Sequence, residues 1–118
     1  MTTSAEHTAL AAETYFTAWQ APDFERLSAL FADDVDFVGA LGAVQGRGDC
    51  IAGLRAVRGM VDDIHVVRRW IDGSDAITWF ELHRDGHDPI PTVNWSHVDD
   101  DGLIDRIRVT FDPRPLLG

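Results

Sequence analysis

Residues 92–111 read TVNWSHVDDDGLIDRIRVTF, and the fold depends on how this stretch turns back on itself. Thr92, Asn94 and Ser96 alternate with Val93 and Trp95, and a period of two marks a strand with one polar and one apolar side. Asp101-Gly102 is a strong signal for a two-residue hairpin turn, whose central positions take positive φ. With those residues as the loop, Asp100 faces Leu103 and partner numbers sum to 203. Asn94 then lies opposite Val109, Trp95 opposite Arg108 and Ser96 opposite Ile107. Directly opposed residues share a face, so Asn94 joins Ile107, Val109 and Phe111. Trp95, His97, Arg106, Arg108 and Thr110 take the other face. A slip of one residue would exchange the two sets.

The apolar side of the last strand is the one expected to meet a core, and it brings Asn94 inward. An unpaired buried amide costs about 1–3 kcal/mol. Asn94 therefore either serves a ligand or is a structural amide bonded to neighbours or to a trapped water.

Upstream, IHVVRRWI (64–71), AITWFELHR (76–84) and IPTVNWSHV (90–98) read as three more strands, separated by DGSD and DGHDP. An even pairing of the middle two places Thr78, Phe80, Leu82 and Arg84 with Asn94. Trp79, Glu81 and His83 then fall with Trp95 and His97. Before them the period is helical. Thr3 and Glu6 form a capping box, and Ala12, Tyr15, Phe16 and Trp19 recur on one face of a helix over roughly residues 5–20. Pro22 suits the first turn of a second helix, with Phe24, Leu27, Leu30 and Phe31 as its apolar face. FADDVDFVG (31–39) predicts a short strand and GAVQGRGD (42–49) a loop. Asp49 is the expected cap of a third helix carrying Ile51, Leu54 and Val57, weakened by Gly53 and Gly59. Three helices and one early strand, then four consecutive strands, give a single α+β domain over residues 1–118 with a mainly antiparallel sheet.

Composition narrows the function classes. The chain has 118 residues, 20 acidic against 10 basic, and a formal net charge of -10. Such a surface repels phosphate backbones and anionic lipid, so neither nucleic acid nor membrane is an expected partner. One cysteine, Cys50, excludes an internal disulfide. With no long apolar run and no basic segment leading into an apolar one, a cytoplasmic location is expected. No metal is expected either: His83 and His87 are four apart but in a turn, and DDDG lacks the distal glutamate of a calcium loop. There is no nucleophile elbow or phosphate loop, and no cofactor is called for. Arg68 and Arg69 are neighbours on a strand, so one faces in and one out, with solvation the expected fate of the inward one.

The ordered set YFTAW, DFERLSALFADDVDFVG, GRGDCIAGL and VDDDGLIDRIRVTFDP resembles the nuclear transport factor 2-like superfamily, in particular its SnoaL-like and ketosteroid isomerase-like members. The resemblance implies a cone: three N-terminal helices packed on a strongly curved sheet, enclosing a pocket, often with a dimer across the sheet's outer surface. By position, Tyr15 corresponds to the isomerases' oxyanion-hole tyrosine and Asn94 to their protonated aspartic acid. An amide donates a hydrogen bond without needing a raised pKa. Trp19, Phe37, Phe80, Ile107, Val109 and Phe111 would then contact the substrate, with Arg84 if it turns inward. The isomerases' general base falls at Gly39, which has no side chain, and Asp36 faces the wrong way to replace it.

Two readings follow. The first is a cofactor-independent isomerase, cyclase or hydratase acting on a small, apolar, oxygenated substrate, with Tyr15 and Asn94 polarising a carbonyl. The second is a non-catalytic module that binds a small hydrophobic ligand or dimerises. The inward polar pair favours the first and the missing base the second; the sequence leans to the enzyme. In either case Trp79 and Trp95 predict a homodimer through the outer face of the sheet.

Overall fold

A computed structural model describes residues 4–117. Helix α1 (Ser4–Gln20) buries Thr8, Ala11, Ala12, Tyr15, Phe16, Ala18 and Trp19 along one side. The proposed cap Thr3 lies outside the described residues. Helix α2 (Phe24–Ser28) is capped by Asp23, whose carboxylate accepts from the Arg26 N–H at 3.1 Å. Pro22 therefore belongs to the preceding turn and not to the helix. Strand β1 (Phe31–Gly39) follows, then β2 (Gly42–Gln45), helix α3 (Arg47–Met60), strands β3 (Asp63–Asp72), β4 (Asp75–His83), β5 (Ile90–Val98) and β6 (Ile104–Thr110), and a short α4 (Arg114–Leu117).

Several boundaries differ from the sequence reading: α2 stops at Ser28, so Leu30 and Phe31, expected on its apolar face, lie beyond it, Phe31 opening β1. Residues 42–45, expected as loop, form β2 and pair antiparallel with β1, from Asp36↔Gln45 to Gly39↔Gly42. Gly-Ala-Val-Gln is too short to show an alternation; pairing with β1 recruits it, and Val44 packs against the core. Helix α3 begins at Arg47, after Gly46 at φ 99°, a conformation that favours glycine. Asp49 sits inside the first turn, where its charge still complements the helix dipole, and is not the cap. Helix α4 had no sequence signal.

The sheet order is β2-β1-β6-β5-β4-β3, antiparallel except for β1 against β6, which is parallel. The sheet stays open, and the helices pack on its concave side around one core. Tyr15 packs against Phe16, Trp19 and Phe31, and Phe80 meets both Phe16 and Trp19, with ring centroids 4.8–6.0 Å apart. Such aromatic pairs add about 0.5–1.5 kcal/mol each beyond area burial.

The β5–β6 register holds the pairing sum of 203 from Val93↔Thr110 to His97↔Arg106, but by a different route from the one expected. The Asp99 N–H bonds to Leu103 O at 2.8 Å, so the turn is one residue longer than Asp101-Gly102 alone. A bulge between His97 and Val98 then restores the count. Asp99 Oδ1 ties the loop by accepting from the N–H groups of Asp101 and Leu103. A second bulge, between Val66 and Arg68, leaves Val67 exposed and turns Arg69 inward. Arg69 does not simply point to water: it is half-buried, donates to Thr78 Oγ1 at 3.0 Å and lies 5.4 Å from the Phe16 ring centroid. Arg68, on the outer face, stacks on Trp70 instead.

Candidate functional site

Between the β1–β2 hairpin and α3 the cone opens into a cavity of about 320 Å³. Its floor is Trp19 from α1, Phe80 and Leu82 from β4, Thr92 from β5, Val109 from β6 and Phe111 just beyond it. Phe37, Gly39 and the hairpin tip Ala40–Ala43 form one lip; Gly53, Leu54, Ala56, Val57 and Met60 of α3 form the other. None of these side chains is ionisable. Thr92 carries the one hydroxyl, which already donates to Ile90 O at 3.2 Å. The Trp19 indole N–H is also engaged, with Leu54 O at 2.9 Å. The site excludes charge and has no group that could take or give a proton at neutral pH.

Of the residues expected at a substrate, Trp19, Phe37, Phe80, Val109 and Phe111 border this cavity. Ile107 is fully buried behind it. Arg84 is elsewhere: at the end of β4 its guanidinium donates to Pro115 O at 2.7 Å, near the surface. The α3 lip was legible as a helical stripe through Leu54 and Val57, whereas the hairpin tip had no signal once residues 42–49 read as loop.

Tyr15 and Asn94 do meet. Asn94 Nδ2 donates to Tyr15 Oη across 3.4 Å, and Ser96 Oγ donates to Asn94 Oδ1 at 2.7 Å. Tyr15 is 0% exposed and Asn94 1%. Burial pushes the Tyr15 hydroxyl far above its ordinary value, Cys50 adds to the rise, and the Asn94 bond opposes it. Burial also raises the Cys50 thiol to about 12. Both groups are therefore neutral at physiological pH. The pair does not border the cavity: Trp19 packs edge-on against Tyr15 on one side and faces the cavity on the other. Asn94 lies two residues from Thr92 on the same inward face of β5. No group of His, Cys, Asp and Glu side chains that could hold a metal ion occurs among the described residues.

The SnoaL-like domain family matches residues 12–107. No curated protein sequence matches the chain. Three solved structures share its shape. A candidate ketosteroid isomerase from Kribbella flavida is 24% identical with a TM-score of 0.82, over 93% of this chain and 81% of that one. A Mycobacterium tuberculosis epoxide hydrolase described as LEH-like is 23% identical with a TM-score of 0.77, over 96% and 88%. A de novo designed protein with a curved β-sheet is 21% identical with a TM-score of 0.83, over 92% and 88%. At these identities the likeness carries the fold alone, and the designed protein shows how little the shape says about chemistry.

Proposed function

The chain belongs to the SnoaL-like domain family, and from that premise we propose that its cavity binds a small neutral apolar molecule without transforming it. One observation carries this: the lining contains no ionisable side chain and a single hydroxyl. An apolar cavity of about 150 Å³ accepts benzene, so about 320 Å³ suits a compact molecule of roughly a dozen carbon atoms. A carboxylate or phosphate would lose its hydration with nothing to replace it. Calorimetric titration with 2-naphthol and with 2-naphthoate tests the reading. The neutral compound should bind and the anion should not. Equal binding of both, or of neither, would defeat it.

A second reading keeps the enzyme. Among the described residues no acceptor is placed for the Tyr15 O–H proton, so a neutral donor stands one ring behind the cavity. If the Trp19 side chain swings aside, Tyr15 and Asn94 reach a ligand carbonyl and stabilise charge on its oxygen. An isomerase, cyclase or hydratase of this design still needs a base, and Gly39 supplies none. Turnover that is lost in Tyr15→Phe would favour this reading over simple binding.

We also infer a homodimer through the outer face of the sheet. Trp70 and Trp79 there are 44% and 45% exposed, beside the exposed Ile77 and Val93. Trp95 is half-buried, its indole held by Asp75 at 2.9 Å. No described helix is long and apolar enough to cross a membrane. A cytoplasmic location fits the single buried thiol of Cys50.

A further inference from the structure

Phe37 and Gly39 lie two residues apart on β1, and both border the cavity. The ring of one occupies the space that a side chain on the other would need. An ideal Cβ on Gly39 would stand 2.8 Å from Phe37 Cε1, closer than carbons pack, and 3.4 Å from Cζ, in contact with it. The backbone does not demand glycine here, since Gly39 is not one of the positive-φ residues. Around the ring, Val35 precedes it on the same face of the strand, Val44 flanks it across β2 and Ile107 across β6. The side left open is the cavity. A side chain at position 39 would therefore push the Phe37 ring into the ligand space.

We propose that Phe37 and Gly39 act together as the size selector of the ligand site, the bare backbone at 39 letting the ring sit back so that the cavity keeps its length. This deepens the binding reading and rests on it. Phe37 touches the ligand; Gly39 acts through Phe37 and is a positioning residue.

The test uses the full chain, with Gly39→Ala, Phe37→Ala and the double variant, titrated with benzyl alcohol, 2-naphthol and 4-phenylphenol. Gly39→Ala should hold benzyl alcohol within about twofold of the unmodified protein and weaken the two larger probes about tenfold or more, the scale of a methylene-sized mismatch in an apolar pocket. Phe37→Ala should strengthen 4-phenylphenol by a similar factor. With Phe37 already removed, most of the effect of Gly39→Ala should vanish, leaving about twofold or less for a methyl that itself borders the cavity. Phe37→Leu, which keeps an apolar core side chain, serves if Phe37→Ala does not fold. Three results overturn the selector: equal weakening of all probes by Gly39→Ala, persistence of its full effect without Phe37, or an unchanged size preference in the Phe37 variants. Failure of the unmodified protein to bind any probe overturns the binding reading itself, and the selector with it.

Discussion

Replacing Asn94 by leucine separates a structural amide from a ligand-binding one. The change removes the acceptor of the 2.7 Å bond from Ser96 and the donor of the 3.4 Å contact to Tyr15. The longer contact is weak, and Tyr15 loses only a donor to its oxygen. Ser96 is 3% exposed, so its hydroxyl would be stranded, at about 1–3 kcal/mol. Leucine is of similar size and returns part of this by apolar burial. The net expectation is a loss of about 0.5–2 kcal/mol, or about 2–8 °C in Tm for a domain of this length. Removing both ends of a buried bond costs less than removing one, so Asn94→Leu with Ser96→Ala should regain a good part of the loss. Urea unfolding gives the stabilities, and 2-naphthol titration the affinity, which should not move because Asn94 does not border the cavity. A variant of unchanged stability that binds several-fold more weakly would refute this reasoning and put Asn94 at the ligand.

Other expectations can be checked alongside. The unmodified protein should show no isomerisation of a ketosteroid above background, because no carboxylate borders the cavity; a robust rate would reveal another base. Gly39→Asp should also lose 2-naphthol binding, since it adds a charge and displaces the Phe37 ring. Trp79→Glu should shift light scattering from dimer to monomer at micromolar concentration with little loss of fold, whereas a monomeric unmodified protein would remove the proposed interface. The Cys50 pKa, raised from its ordinary 9.0 to about 12, gives stability that is complete below about pH 9 and lost as pH climbs towards 12. The urea midpoint should therefore fall across that window, and less steeply in Cys50→Val. Cys50 should also resist thiol reagents at pH 8 until the protein unfolds.

Periodicity carried most of the architecture. Alternation along 92–98 and the helical spacing of Tyr15, Phe16 and Trp19 report which side of an element meets the core; that Tyr15 and Asn94 should meet there was what the family resemblance implied, not something either pattern could tell. The face of Asn94 was legible for a partly accidental reason: the turn is a residue longer than Asp101-Gly102, and the bulge beside Val98 cancels the error. Where no second irregularity compensates, pattern fails. The bulge at Val67 reverses parity within β3 and brings Arg69 onto Thr78. β2 escaped notice because four small, mixed residues have no period to read. The cavity was harder still. Sequence marks Trp19 and Phe80 as inward, but only packing shows that they border the cavity while Tyr15 and Asn94 lie behind it.

The parallel seam between β1 and β6 has a kinetic consequence. Phe31 pairs with Ile104 and Phe37 with Ile107, contacts between opposite ends of the chain. Strand β6 sits inside the sheet, between β1 and β5, and is the bridge through which β1 and β2 reach the other strands. The hairpins β3–β4 and β4–β5 are local and can form early, but the seam must close a loop of some seventy residues, an entropic cost that comes before its contacts repay it. Since Phe37 borders the cavity on one side of that seam and Val109 on the other, the cavity should be among the last parts of the molecule to form as the chain folds.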